Sequence, residues 1–224
     1  MIKFGVVIFP GSNCDSDALY AIGKVAKQAV IPIWHKETQI PDVDCIVLPG
    51  GFSYGDYLRP GAVASRSPVI QTIKRYAVNG GKVIGICNGF QVLVETNLLP
   101  GVLLTNQSTR FISSVVTLEV VNNQTPFTNL FQKNQLIRFP IAHKDGNYFT
   151  DPASLRMIQQ NNQVVFTYQD NPNGSIENIA GLCNREKNVL GLMPHPERAC
   201  ESITGTSDGL LVFQSIVADC KEAK

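Results

Sequence analysis

In the first half of the chain, apolar residues gather in short unbroken runs instead of alternating with polar ones. The runs cover residues 2–9, 29–34, 45–49 and 82–87. Continuous apolar stretches of this length predict strands buried on both faces of a parallel sheet. The segments between them carry helix signals. Asp15-Ser16-Asp17 predicts a capped start for a helix running to about Gln28. Ser67-Pro68 opens a second helix, with proline at its first position, that ends near Asn79-Gly80-Gly81. Residues 90–99 follow the fourth run directly as a third helix and stop at Pro100-Gly101. Strand and helix in alternation predict a doubly wound α/β fold.

The second half is less regular. Residues 111–121, with Val, Ile and Thr among them, predict one or two strands. Residues 164–168 and 175–183 flank Asn171-Pro172-Asn173-Gly174, a strong turn signal, and predict a hairpin or meander. Residues 188–193 predict a further apolar strand. Residues 208–224 predict an amphipathic helix, with Leu210, Phe213, Ile216, Val217 and Cys220 in its apolar stripe and Leu211, Ser215 and Ala218 along one side. No repeat, low-complexity tract or linker interrupts the chain, so one domain over residues 1–224 is expected.

Composition narrows the function classes. A chain of 224 residues can bury a core without staples. Hydrophobic residues at 44%, charged residues at 17% and a mean hydropathy of +0.02 are an ordinary globular balance. A net charge of +1 argues against nucleic acid or an anionic membrane as a partner of the whole chain. No apolar run approaches the ~18 residues of a membrane span. The apolar start is broken by Pro10-Gly11 with no small-residue cleavage site after it. It therefore reads as a first strand, not a targeting segment, and a cytoplasmic location is expected. The six cysteines, Cys14, Cys45, Cys87, Cys183, Cys200 and Cys220, include no Cys-x-x-Cys pair, which weakens zinc and thioredoxin-type readings. Five of them are expected to be small core or surface residues, and no metal site is expected.

The sixth is different. Gly85-Ile86-Cys87-Asn88-Gly89 has the form Gly-x-Cys-x-Gly between a buried strand and a helix. This is a nucleophile elbow with sulfur in place of a serine hydroxyl. The flanking glycines leave room for close approach of strand and helix. The helix N-terminus aims its amides and positive dipole end at the sulfur, which favours thiolate, and the Asn88 amide is placed to serve an oxyanion. The alternative is a buried structural cysteine at a strand end.

A cysteine nucleophile usually needs a base. Of the three histidines, His35 reads as a surface or capping residue, and His143 lies in a loop-like segment. His195 sits in Met193-Pro194-His195-Pro196-Glu197, where Pro196 holds it extended. Residues two apart in an extended segment share a face, so Glu197 can orient and charge-stabilise the imidazole as the third member of a triad. The alternative is a rigid proline turn with incidental charges. Pro49-Gly50-Gly51-Phe52-Ser53-Tyr54-Gly55-Asp56 follows the third strand, and neighbouring strand ends share a crevice, so Gly51 is expected near Cys87 with an amide free to turn toward an oxyanion. No nucleotide phosphate cradle occurs. The pairs Asp15/Asp17 and Glu197/Glu201 otherwise read as caps and surface charge.

Residues 85–91, Gly-Ile-Cys-Asn-Gly-Phe-Gln, together with Pro-His-Pro-Glu at 194–197, resemble the class I, triad-type glutamine amidotransferases. Residues 9–15, 49–59, 180–181 with 193–198, and 207–216 narrow the resemblance to the glutaminase subunits of phosphoribosylformylglycinamidine synthase. The resemblance implies a flavodoxin-like domain with a mixed sheet flanked by helices. It implies Cys87 attacking the side-chain amide of L-glutamine to form a thioester, His195 protonating the leaving ammonia and activating water, and Gln91 contacting substrate. Ammonia would pass to a large synthetase subunit, with a small bridging subunit in the same complex. ATP and Mg would act on the synthetase, leaving no cofactor in this chain. Phe52, Tyr54, Tyr57 and Arg59 are candidate interface residues, since aromatics and arginine carry much interface energy. One segment departs from the family: the usual Ala-His-Gly-Glu-Gly is here Ala142-His143-Lys144-Asp145-Gly146, with His143 a candidate pocket or interface residue. A redox-sensing interaction protein would need the elbow without His195 and Glu197. A cysteine peptidase or γ-glutamyl hydrolase would act without a partner.

Overall fold

The computed structural model describes residues 1–222. The first half forms β1 (Lys3–Ile8), α1 (Asp15–Tyr20), β2 (Ala29–Trp34), β3 (Cys45–Leu48), α2 (Pro68–Val78), β4 (Lys82–Ile86) and α3 (Asn88–Glu95). The second half forms β5 (Val102–Leu104), β6 (Ile112–Val120), β7 (Leu136–His143), β8 (Asn147–Phe149) and α4 (Pro152–Gln160). It continues with β9 (Val164–Tyr168), β10 (Ile179–Cys183), β11 (Val189–Leu192) and α5 (Leu210–Glu222).

The four apolar runs are the four parallel strands that they predict. The main sheet has nine strands in the order β2-β1-β3-β4-β11-β10-β9-β6-β7. From β2 to β11 every neighbour is parallel. From β11 to β7 every neighbour is antiparallel. β3 and β11 are buried along their whole length, as a strand covered on both faces must be. Helices flank this mixed sheet: α1 packs on β1 and β2, α2 on β4, and α3 on β3, β4 and β11. Both outer strands carry a proline mid-strand, Pro32 in β2 opposite Val6 and Pro140 in β7 opposite Val115. β5 and β8 make a separate two-stranded ribbon.

Several expectations change. Residues 111–121 are a single strand, β6, paired along its length with β7. The segment holding His143 is not a loop: its alternating burial makes β7, with the apolar residues Ile137, Phe139 and Ile141 buried. The first helix is α-helical only to Tyr20 and continues as a π-helical turn over Ala21–Val25. Cys14 stands at its N-cap and makes no side-chain capping bond, while Asp15 accepts the next amide, that of Ser16, and Asp17 pairs with Arg198. Ser215 of α5 is buried, and its hydroxyl accepts the Leu130 amide at 3.3 Å. The predicted end of that helix, residues 223–224, lies outside the described residues. No described helix is long and apolar enough to cross a membrane.

Candidate active site

Cys87 sits at the carboxyl end of β4 and caps α3, with φ +49° and ψ −106°. A bulky residue at positive φ costs about 1–3 kcal/mol, so its surroundings must hold it there. Its amide donates to the Leu192 carbonyl at 2.8 Å, and its own carbonyl accepts the Gln91 amide at 3.1 Å. The flanking glycines act through space. A methyl group on Gly89 would overlap the Leu48 carbonyl, and one on Gly85 would lie 2.7 Å from the Gly89 backbone. α3 therefore rides directly on the sheet, with its first amides turned toward the thiol and unpartnered within the helix.

His195 reaches this position by an unexpected route. It is extended, at φ −103° and ψ 92°, but Pro196–Arg198 is a 3-10 turn, so Glu197 is not the next residue along an extended face. Proline favours the first position of such a turn, and the turn swings the carboxylate back onto the ring. His195 Nδ1 and Glu197 Oε1 are 2.6 Å apart, and both side chains are buried. The His195 amide donates to the Pro140 carbonyl at 2.8 Å, which ties it to β7. A methyl group on Gly50 would lie 2.7 Å from His195 Cε1 and 3.2 Å from Cys87 Cβ, so imidazole and cysteine flank one glycine. Burial opposes the charged imidazole, but Glu197 and Cys87 outweigh it and hold the His195 pKa well above the ordinary value. Its Nε2 has no hydrogen-bond partner among the described residues.

The glycine turn after β3 lies over the same cleft. Ser12 donates its hydroxyl to the Gly50 carbonyl at 2.8 Å, which turns the Gly51 amide, on the other side of that peptide, away from Ser12. Gly51 adopts φ +107°, and a methyl there would meet the Asn13 amide at 2.6 Å. Asn88, beyond lending an amide, cross-links the site: Oδ1 bonds to Ser53, while Nδ2 donates to Asp56 at 3.1 Å and Gln91 at 2.9 Å. Gln91 donates in turn to the Asp145 carbonyl at 2.6 Å. The cleft is lined by Cys87, Gln91, His195 and the pocket candidate His143, with Asp56 and Asp145, which residue spacing does not reveal. They share one signal, a place just after the carboxyl end of a strand or in the loop that follows it. His143 ends β7, is buried, bonds Asn106 through Nδ1 at 3.1 Å and leaves Nε2 unpartnered. Burial, then the charge of His195, lowers its pKa to about 4.

The remaining candidates separate. Phe52 and Tyr57 are exposed, and Phe52 stacks on Phe111. Arg59 is exposed but forks onto Glu95 at 2.7 and 2.6 Å. Tyr54 turns inward, its hydroxyl bonding His35 Nδ1 at 2.7 Å and Ser67 at 3.1 Å, which also makes His35 a buried residue and not a surface one. All six cysteines are free and buried. Cys14 does have a context comparable to Cys87: its sulfur, His195 and Glu197 place donor atoms within 4.8 Å of one another. A cation held by all three would compete with the His195–Glu197 hydrogen bond. Sequence spacing hides this group because Cys14 lies at the other end of the chain.

A doubly wound sheet with a cysteine elbow and a buried His–Glu pair at its strand ends leads to one class of protein. Residues 2–208 match the family model of the CobB/CobQ-like glutamine amidotransferase domain. The chain is 51% identical over 225 residues to phosphoribosylformylglycinamidine synthase subunit PurQ of Moorella thermoacetica, covering 96% of this chain and 95% of that protein. It is 53% identical over 216 residues to the same subunit of Alkaliphilus metalliredigens, covering 96% of each. A chain in the structure of PurLQS from Thermotoga maritima superposes with a TM-score of 0.88 at 47% identity, covering 98% of this chain and 99% of that one. The chain thus belongs to the glutamine amidotransferases and, within them, to the PurQ family.

Proposed function

We propose that this chain is the glutaminase subunit of a phosphoribosylformylglycinamidine synthase. It hydrolyses L-glutamine to glutamate and ammonia and supplies the ammonia to a large synthetase subunit, with a small bridging subunit completing the complex. The synthetase, with ATP and Mg of its own, converts formylglycinamide ribonucleotide to formylglycinamidine ribonucleotide in purine biosynthesis, in the cytoplasm. The observation that carries this reading is the meeting of Cys87 and the His195–Glu197 pair around Gly50, in a chain about half identical to PurQ subunits.

The chemistry follows from the groups in the cleft. Cys87 sulfur bonds to the side-chain amide carbon of glutamine, its proton having passed to His195. The amides of Gly51 and Asn88 receive the developing oxyanion. His195 then gives its proton to the amide nitrogen, the carbon–nitrogen bond breaks, and ammonia leaves a thioester. Water attacks that thioester as His195 takes its proton. The carbon–sulfur bond breaks, the proton returns to sulfur, and glutamate departs. Glu197 stabilises the imidazolium at both proton transfers. Gln91 orients the substrate, and no cofactor is needed in this chain. Phe52 and Tyr57 form the docking face, with Arg59 held at its edge by Glu95.

The test is Cys87→Ala in the assembled complex. Glutamine-dependent product formation is expected to disappear while synthesis from added ammonium salt persists. Undiminished glutamine-dependent synthesis would overturn the covalent reading.

A further inference from the structure

The loop that leads from Gly51 toward α2 is strained. Tyr54, Asp56 and Leu58 have φ of +54°, +55° and +69°, three side-chain-bearing residues in the left-handed region within one short stretch. Such backbone persists only where its surroundings over-determine it, and it clusters at active sites. Here the Tyr54 amide donates to the Pro10 carbonyl at 2.6 Å and the Gly55 amide to the Phe52 carbonyl at 2.8 Å. Ser53 bonds Asn88 Oδ1 through both its hydroxyl and its amide.

The Tyr54 side chain ties the same stretch to a different part of the fold. Its hydroxyl bonds His35 Nδ1 at 2.7 Å and the Ser67 hydroxyl at 3.1 Å. Both partners are buried and belong to fixed elements. The His35 amide donates to the Ile8 carbonyl on β1 at 3.1 Å, and the His35 carbonyl accepts the Val69 amide of α2 at 3.2 Å. Ser67 is the N-cap residue of α2, where a serine ordinarily accepts an amide of the first turn. It makes no such capping bond, and its hydroxyl turns to Tyr54 and His35 instead.

We propose that Tyr54 is a positioning residue: through His35 and Ser67, its hydroxyl holds this loop in the strained form that keeps the Gly51 amide on the oxyanion. This rests on the glutaminase reading and deepens it, giving an inward-facing aromatic a part in the chemistry instead of in docking. An oxyanion donor is effective when it is fixed before the charge develops. Tyr54 lies three residues beyond Gly51, and Ser53 between them is bonded to Asn88, whose amide shares the oxyanion. Without the hydroxyl the strained stretch relaxes and the Gly51 amide moves with it. Cys87 keeps its place, because its own amide is held by Leu192 of β11.

The experiment uses the assembled complex carrying Tyr54→Phe, which keeps the ring and removes the hydroxyl alone. Losing an oxyanion donor outright lowers kcat by about 10²–10³-fold, and a displaced donor forfeits part of that. Glutamine-dependent kcat is therefore expected to fall about tenfold, with the KM for glutamine within about twofold of native. The second readout is alkylation of Cys87 by iodoacetamide, in which the sulfur bonds to the methylene carbon, iodide leaves and no oxyanion forms. Its rate, followed on the Cys87 peptide by mass spectrometry, is expected to match that of the native complex. Ser67→Ala removes one of the two partners and is expected to show the same split at about threefold. Unchanged kcat in an assembled Tyr54→Phe complex would overturn the assignment. So would equal slowing of turnover and alkylation, which marks a merely structural role. Where Tyr54→Phe does not assemble, the same two outcomes in Ser67→Ala decide. Failure of the glutaminase reading looks different: the native complex would release no ammonia from glutamine at all.

Discussion

The parallel and antiparallel halves of the sheet meet at one cleft but supply its parts in different ways. In the parallel half, Cys87 owes its position to five consecutive residues and the close approach of α3 to β3 and β4. In the antiparallel half the base is placed by distant strands. His195 follows β11, yet its amide is held by Pro140 on β7, the outermost strand of that side. Ala142, on the same strand, brings its carbonyl to 3.9 Å from the Cys87 thiol. The nucleophile is thus a property of one turn, whereas the base and the substrate wall depend on strands that pair across long stretches of chain. Disturbing the second half should alter proton transfer and binding while leaving the elbow in place.

The sharpest way to break this division is to separate the base from its orienter. His195→Asn in the complex is expected to lower glutamine kcat by about 10⁴-fold or more, and Glu197→Gln by about a hundredfold less than that. Because Glu197 raises the His195 pKa, Glu197→Gln is expected to move the pH-profile limb that reports imidazole deprotonation to lower pH. Equal losses and an unmoved limb would mean that Glu197 does more, or other, than orient the ring.

Two glycines test the halves against each other. Gly89→Ala sets a methyl group into the Leu48 carbonyl, a backbone collision with little room to relax, and is expected to cost about 1–3 kcal/mol in thermal or denaturant unfolding. Gly146→Ala presses on the His143 ring, a side chain held through Nδ1 by Asn106 and not part of the sheet backbone. It is expected to cost less stability and to show itself as a higher KM for glutamine. The reverse ranking would show that the elbow tolerates movement better than the wall.

The smallest effect is a pH dependence. Asp56 lines the cleft, and as it ionises it adds a negative charge that favours the cationic ammonium of a glutamine held there, so the KM for glutamine should fall as pH rises between about 5 and 7. Asp56 faces Asp145 from the β7–β8 turn and Asn88 from α3, in a cleft also lined by His143, Lys144, His195 and Arg198. His143, near 4, stays neutral across that window, and His195, held well above its ordinary value, begins it charged. Steady-state kinetics should find the trend in the native complex and not in Asp56→Asn.

The same division governs how much was legible in the sequence. Continuous apolar runs mark β1 to β4 because a buried parallel strand needs them, and Gly-x-Cys-x-Gly marks the elbow because the glycines that shape it lie within two residues of Cys87. β7 escapes notice because Arg138 and Pro140 interrupt its pattern, and only the sheet shows that both lie on an outer strand that can take them. α4 is missed although Asp151-Pro152 is a good start signal: Asp151 accepts the amides of Ala153 and Ser154. His195 and Glu197 are found for a partly wrong reason, since a turn and not an extended strand joins them. The proximity of Cys14 to His195, and of Asp56 to Asp145, exists only once strands from both halves end side by side.

The flanks of the open sheet have a consequence for life in a crowded cell. A nine-stranded sheet that does not close into a barrel has two outer rows of backbone groups, each a template on which another chain can polymerise unless it is covered or broken. On β7 the row is covered from within the chain, the Pro140 carbonyl accepting the His195 amide and the Arg138 amide donating to Asp208. On β2, Pro32 deletes a donor in mid-strand and breaks the ladder that an incoming strand would extend. The subunit can then be packed at high local concentration beside other chains without seeding fibrils from either flank.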